Sequence, residues 1–375
     1  MSAPLSPPIN QADLAAIAAA FALEAEFVTG APHGNGLIND TFVIQCRQRG
    51  APLRFIFQRI NHHVFRNVPA LMENVQRVTT HLAHHQAAAG RQTLRLIPTP
   101  TGQPYHLDAQ NHHWRCYNFI EGAQTYDVIE TLPQARAAAY AFGEFQAQLA
   151  DFAGPRLHET IPHFHHTRQR FANLQAAIAT NAAGRVASVG PEIDFVVAQQ
   201  SLAESLLRLH ESGQIPERIT HNDTKISNVM LDSHTGEAVC VIDLDTIMPG
   251  LALYDIGDLI RSATNPCLED ETDLDRIHVQ LPVFEQLIAG YLEAAHTILN
   301  PTEIAHLVLA GQLLAYEMGI RFLTDYLDGD NYYKIKHARH NLDRARGQFA
   351  LLRSMQAAEP EMQQIVTQQL QALVR

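Results

Sequence analysis

The sequence predicts an α+β protein of two lobes, a small mixed β/α lobe followed by a larger, mainly α one. Three observations carry that expectation. The chain has 375 residues, about twice the usual single-domain length, so one compact core is too few. Strand-like segments concentrate before residue 120, whereas beyond it apolar residues recur mostly at helical spacing. Hydrophobic residues make up 46% and charged residues 18%, which supplies real cores and excludes a disordered, collagenous or coiled-coil chain.

Residues 1–10, rich in Pro and Ser, read as a loose arm, and Asp13 is expected to cap a helix running to about residue 27. A glycine-rich segment, Gly30-Ala-Pro-His-Gly-Asn-Gly-Leu-Ile-Asn39, leads into strands over 41–46 and 53–60, a hairpin turning around Arg49-Gly50-Ala51-Pro52. Leu71, Val75, Val78 and Leu82 place a helix over 69–89, with Pro69 in its first turn and Gly90 as its stop. Short strands at 104–107 and 113–119 complete the first lobe. After Glu121-Gly122, the stretches 132–151, 168–180 and 193–212 read as amphipathic helices. One hairpin, 229–231 with 238–242, interrupts them, and 281–295, 301–327, 333–352 and 359–374 read as further helices. The expected division is 1–117 for the first lobe, a hinge at 118–124, and 125–375 for the second.

Thirty-nine acidic against twenty-seven basic residues leave a net charge of -12, which disfavours attraction to nucleic acid or an anionic membrane surface. Any phosphate must be held locally. No stretch reaches the roughly 18 apolar residues of a membrane helix, so a soluble, cytoplasmic protein with neither nucleic acid nor membrane as partner is expected. Cys46, Cys116, Cys240 and Cys267 are far apart and form no CxxC pair, which argues against a disulfide framework or a thiolate metal site. The twenty-one histidines, including doublets at His62/His63, His84/His85 and His112/His113 and the cluster His163, His165, His166, read as surface residues without a metal-site partner set.

The chemistry concentrates in His221-Asn-Asp-Thr-Lys-Ile-Ser-Asn228, the hairpin after it, and Val241-Ile-Asp-Leu-Asp245. Phosphoryl transfer needs an acceptor for the substrate hydroxyl proton and hard oxygen ligands for Mg2+. Asp223 fits the first role, and Asn228 and Asp243 the second. An Asn five residues after the base, before a strand pair ending in Asp, is the spacing of a kinase catalytic loop. The competing reading of Asp223 and Asn228 is turn capping. Asp245, two residues beyond Asp243 on an extended segment, would face the same side and share the cation, or close a turn. Lys225 could neutralise the moving phosphoryl group or lie solvated at the surface.

These motifs, with His33-Gly-Asn-Gly-Leu-Ile-Asn-Asp-Thr41, Gln58-Arg-Ile-Asn61, Asn118-Phe-Ile-Glu-Gly122, Thr125-Tyr-Asp127 and Arg321-Phe-Leu-Thr-Asp-Tyr326, resemble the aminoglycoside phosphotransferase and choline kinase superfamily. Within it the chain resembles the N-acetylhexosamine 1-kinases. The resemblance implies a bilobal protein-kinase-like fold and transfer of the γ-phosphoryl of ATP to the anomeric hydroxyl of GlcNAc or GalNAc. Aminoglycoside, choline or another alcohol is the alternative acceptor of the same fold, and a nucleotide-binding pseudokinase the non-enzymatic one. The oligomeric state is left open.

The resemblance further implies that Gly34, Asn35, Gly36 and Asn39 cover the ATP phosphates and that His33, unless it is a loop-surface histidine, contacts the sugar. The strand lysine of protein kinases is replaced by Gln58-Arg59, so Arg59 is expected to grip phosphate and to pair with Glu73, the only acidic residue of its helix. Asn118 and Ile120 lie in the segment expected to present backbone to adenine, although Ile120 also suits a core strand. Arg321 and Tyr332 are implied as sugar contacts, with an Arg321–Asp325 ion pair as the alternative for Arg321.

Overall fold

The computed structural model describes residues 9–34, 38–89 and 92–373; Asn35, Gly36, Gly90 and most of the expected N-terminal arm lie outside them. The first helix, α1 (Gln11–Ala19), is opened by Asn10, whose side chain accepts the Asp13 N–H at 3.0 Å while the Asp13 carboxylate accepts the Asn10 N–H at 3.2 Å. This reciprocal capping box makes Asn10 the cap and Asp13 its third-position partner. The helix also stops well before residue 27, because Glu26–Pro32 is a strand, β1, whose backbone pairs with the next one. Strand pairing outweighs the helical apolar spacing there.

The hairpin expected from the sequence is β2 (Asp40–Gln48) and β3 (Ala51–Ile60), both longer than the alternation suggested. Its two-residue turn, Arg49-Gly50, has positive φ at both positions, 51° and 86°, matching the twist of the flanking strands. After α2 (Val68–Ala89) come β4 (Leu96–Ile97), β5 (His106–Leu107) and β6 (His113–Asn118). The sheet is antiparallel, ordered β1-β2-β3-β6-β4 with β5 also on β6.

The two faces of this sheet divide the apolar material. Phe42, Ile44, Cys46, Phe55, Phe57, Trp114 and Cys116 face α1 and form one core with Leu14 and Ile17. On the other face, Ile60 and Tyr117 join Leu71, Met72, Val75 and Val78 of α2 in the large core shared with the helical lobe. Period-2 alternation along β3 and β6 therefore decides which polar side chains reach the second lobe.

The chain crosses over through β7 (Ala123–Gln124), which pairs with a strand of the second lobe. That lobe is built from α3 (Leu132–Gln148), α4 (Thr167–Thr180), α5 (Gly190–Ala198), α6 (Leu202–Glu211), β8 (Arg218–Thr220), β9 (Val229–Asp232), β10 (Ala238–Val241), β11 (Met248–Gly250), α7 (Ala252–Ala263), α8 (Leu281–Ala295), α9 (Pro301–Ala305), α10 (Leu307–Asp328), α11 (His340–Ala357) and α12 (Glu359–Leu373). The stretch 193–212 is two helices, split by the turn at Gln199–Ser201, where backbone bonds shorten to i, i+3. The expected helix over 333–352 begins only at His340, and 301–327 breaks at His306. Helix α7 and strands β8 and β11 are additional to the expected elements, although Leu253, Ile256, Ile260 and Ala263 of α7 do recur at helical spacing. Helix α10 is long and apolar enough to cross a membrane by composition, but 78% of its most apolar window is buried inside the protein, so it is the central core helix of the lobe.

The fold is mixed α+β, a small antiparallel-sheet lobe on a larger helical lobe.

Candidate active site

Strands β8 and β11 pair through Thr220↔Met248, which lays the loop after β8 beside the turn after β10. The two are then cross-linked. Thr246 Oγ1 donates to the His221 carbonyl at 2.6 Å, Asn222 Nδ2 donates to the Thr246 carbonyl at 2.9 Å, and Ile242 N–H donates to the Asn228 carbonyl at 2.9 Å. His221, buried against Phe142 and Phe145, lies 2.9 Å from the Ile242 carbonyl through Nε2, while Nδ1 receives the Asp223 N–H at 3.3 Å. Both bonds hold only in the Nε2–H tautomer.

A backbone turn with Asn222 at φ 65° presents Asp223. Its Oδ2 accepts from Asn228 Nδ2 at 2.9 Å and lies 3.0 Å from Lys225 Nζ. Burial pushes the Asp223 carboxyl up, but the Lys225 charge and the Lys225 and Asn228 hydrogen bonds hold the group below its ordinary value. Asp223 is thus an ionised acceptor at neutral pH, with Lys225 and Asn228 gathered on it.

Asp243 sits where the chain leaves β10, in left-handed conformation (φ 61°, ψ 59°), at the start of a 3₁₀ turn. Asp243 and Asp245 are therefore not alternate positions of a strand. Loss of hydration within the cleft, then the carboxylates of Asp245 and Asp223, push the Asp243 carboxyl up to about 6, although its surface remains open. Among the described residues neither its carboxylate nor Asn228 Oδ1 receives a hydrogen bond. Two groups with uncommitted hard oxygens, beside crowded negative charge, fit a divalent cation such as Mg2+.

Asp245 does not join them as a ligand. It is 3% exposed, and its two oxygens are taken, Oδ1 by Arg115 Nη1 and Oδ2 by Asn39 Nδ2 at 2.5 Å. Asn39 also accepts the Asn61 N–H at 2.9 Å, so its side chain ties the glycine loop to the second lobe instead of facing phosphate. Arg115 is fully buried on β6, in register with Gln58, whose Oε1 accepts its Nε–H at 2.9 Å.

Arg59 is therefore not the cation of this face. One residue along β3, it points to the opposite side, where Nε and Nη2 donate to Asp40 Oδ2 at 2.9 and 2.7 Å. Nor does it meet Glu73, which instead lies 2.9 Å from His158 and 3.6 Å from Arg77. Sequence reasoning overlooked Arg115. Its signal was a guanidinium in the middle of the otherwise apolar run Trp114 to Tyr117, which needs a buried anion to be tolerated.

The loop bearing Asp223 is braced from behind. Asp255, 1% exposed on α7, accepts the His221 and Asn222 N–H groups at 2.9 and 2.7 Å, and Asp258 accepts that of Thr224 at 3.2 Å. Burial pushes the Asp255 carboxyl up, only partly offset by His221 and these hydrogen bonds. His165 bridges the Asn222 carbonyl at 3.1 Å and Glu317 of α10 at 2.7 Å, so this member of the histidine cluster is a buried strut.

The remaining candidates are dispersed. Gly34 has φ 72° and open space around it. His33 packs its ring 6.0 Å from that of Phe119. Asn118 binds the 93–95 segment, accepting the Arg95 N–H at 2.7 Å and donating to the Thr93 carbonyl at 3.1 Å, and Ile120 is core, at 3% exposure; both side chains are structural. Arg321 makes no ion pair with Asp325, which instead accepts from the backbone of Asn331, Tyr332 and Tyr333. Its guanidinium lies over Phe164 and Tyr333 and donates to Met318 Sδ at 3.3 Å. Tyr332 is 66% exposed beside it.

Residues 29–307 match the phosphotransferase enzyme family. Among solved structures the chain resembles an aminoglycoside phosphotransferase from Alicyclobacillus acidocaldarius, 13% identical over 99% of this chain and 98% of that one, with a TM-score of 0.54. It resembles a choline/ethanolamine kinase family protein from Mesorhizobium loti, 19% identical over 91% and 92%, TM-score 0.52. It also resembles spectinomycin phosphotransferase in complex with ADP and spectinomycin, 14% identical over 94% and 99%, TM-score 0.53. At these identities the likeness is one of fold, and it agrees with the sheet lobe and the helical lobe. The family match spans most of the chain, and the protein belongs to the phosphotransferase enzyme family.

Proposed function

We propose that this protein transfers the γ-phosphoryl group of ATP to the anomeric hydroxyl of an N-acetylhexosamine. The observation that carries the reading is that Lys225 and Asn228 gather on the Asp223 carboxylate, with the Asp243 carboxylate close enough to feel the charges of Asp223 and Lys225. Asp223 holds the acceptor hydroxyl and takes its proton as the bond to phosphorus forms. An anomeric hydroxyl is a comparatively acidic alcohol, so one positioned carboxylate suffices. Lys225 offsets charge on the phosphoryl oxygens while keeping Asp223 ionised. Mg2+, held by Asn228 and Asp243, would neutralise nucleotide phosphate charge. The backbone at Gly34 would cover the phosphates, and residues 118–124 act as the hinge between lobes 1–117 and 125–375.

The acceptor end is supported by Arg321 and its neighbours. Arg170 donates to the Phe164 carbonyl at 2.8 Å, but its Nε and the Tyr333 hydroxyl are buried without hydrogen-bond partners. Burial, then the like charge of Arg321, lower the Arg170 guanidinium. Two guanidinium groups beside Phe164 and Tyr333 favour a hydroxyl- and carbonyl-rich sugar over the cationic aminoglycoside or choline. They speak for the same fold with a different acceptor than its antibiotic-modifying relatives take.

The test is a phosphorus NMR time course with ATP, MgCl2 and a panel of free sugars, aminoglycosides and choline. An anomeric phosphate doublet with GlcNAc or GalNAc is expected; phosphorylation of a cationic acceptor alone would overturn the substrate, and no turnover with any acceptor would favour a pseudokinase. Asp223→Asn should lower kcat by about 10³-fold or more with ATP affinity kept; retained turnover removes Asp223 as base.

A further inference from the structure

Away from the phosphotransfer cleft, the fold assembles a second set of donor atoms that the surface-histidine reading of the sequence passed over. His81 and His85 stand four residues apart on α2, one turn on the same face. Asp151 follows the C-terminal end of α3. Its Oδ1 lies 3.2 Å from Nε2 of His81 and 3.2 Å from Nε2 of His85, and the three ligand atoms lie within 4.8 Å of one another.

Bonds of about 2.0–2.1 Å around a tetrahedral ion separate neighbouring ligand atoms by about 3.3 Å. Two edges of the triangle are already at that length. The third closes by a turn of His85, whose ring is partly exposed, whereas the His81 ring is held edge-on by Phe152 at 5.1 Å, itself covered by Arg77. His81 Nε2 also lies 2.8 Å from the Gln148 carbonyl, which accepts a hydrogen bond from the ring N–H when no ion is bound. An ion at Nε2 replaces that proton, and an oxygen donor is left beside the site.

We propose that His81, His85 and Asp151 form a binding site for a borderline divalent transition metal, Zn2+ being the closest match to two imidazoles, one carboxylate and an open position. Imidazole nitrogens discriminate against Mg2+, so this site is chemically separate from the divalent cation proposed at Asn228 and Asp243. Its consequence is mechanical. Helix α2 belongs to the sheet lobe and α3 to the helical lobe, and the ion clamps one to the other, stabilising the folded chain by mass action.

The experiment uses the tag-free full-length chain, stripped with chelator and titrated with CoCl2. A visible ligand-field spectrum saturating at one Co2+ per chain is expected, displaced by ZnCl2 but not by excess MgCl2. Saturating ZnCl2 should raise Tm by about 2 °C or more. His85→Ala and Asp151→Asn should each weaken Co2+ binding about tenfold or more and remove the Tm rise, whereas His163→Ala, a control for the chain's other histidines, should do neither. The metal-free Tm of each variant checks that it folds, and Asp151→Asn, which keeps the side-chain shape at an exposed position, carries the test if His85→Ala does not. Equal binding by the wild type and both site variants would assign the metal to adventitious histidines and overturn the proposal, as would no spectrum at millimolar CoCl2.

Discussion

Arg115 of β6 and Asp245, in the turn after β10, form a fully buried ion pair that joins the sheet lobe to the turn carrying Asp243. Burial works against the guanidinium charge, but Asp245 and then Tyr117 more than compensate and hold Arg115 above its ordinary value. Gln58 and Asn39 complete the network. Removing one charge strands the other, whereas removing both need not. Arg115→Met should therefore lower unfolding free energy by about 3–5 kcal/mol, and Arg115→Met/Asp245→Leu should recover much of it. Urea unfolding of the three proteins checks this, and a wild-type midpoint in the single variant would show the pair to be structurally idle.

Arg59 tests which face of β3 meets ATP. Its partner is the half-exposed Asp40, on the side of the sheet covered by α1. Arg59→Gln should change KM for ATP by less than about threefold and stability by about 1 kcal/mol, the scale of a partly exposed ion pair. Steady-state kinetics with varied ATP decides the matter. A rise in KM of an order of magnitude would return Arg59 to the phosphates.

Arg321 lacks a carboxylate partner within ion-pair reach among the described residues and faces Phe164 and Tyr333. Arg321→Gln should raise KM for the sugar by about tenfold, the value of one charged hydrogen bond, with KM for ATP unchanged. The two Michaelis constants separate the roles. Equal losses for both substrates would indicate a general packing defect.

Glu317 links α10 to the Asp223 loop through His165. Burial pushes its carboxyl up, but His165, Arg321 and the Thr167 hydroxyl outweigh burial and hold it below its ordinary value. A group with a depressed folded value adds stability that is present above its unfolded value, about 4.3, and is lost as pH falls through the folded one. The urea midpoint of the wild type should exceed that of Glu317→Gln at pH 7, and the gap should narrow below about pH 4. A pH-independent gap would leave packing, not charge, as the cause.

What the sequence by itself determined is what is local in the chain. The β2–β3 hairpin, α2, α3 and the hairpin of β9 and β10 were legible because periodicity, caps and turn residues act within a few positions. So was the Asp223 to Asn228 spacing, which one short loop carries whole. Only tertiary structure decided the rest. Arg59 and Arg115 are equally basic in sequence, and the pairing of β3 with β6 turns Arg115 toward Asp245 and Arg59 toward Asp40. A one-residue step on a strand reverses the face, and composition carries no register. Asp245 read as a metal ligand until Arg115, 130 residues away, took its oxygen. Asp255 and Glu317 brace the catalytic loop from far along the chain, Asp255 by accepting the His221 N–H 34 residues away and Glu317 through His165, itself 152 residues from it. Such partners are set by how α7 and α10 pack beneath the loop, a free-energy balance over the whole core that no single segment encodes.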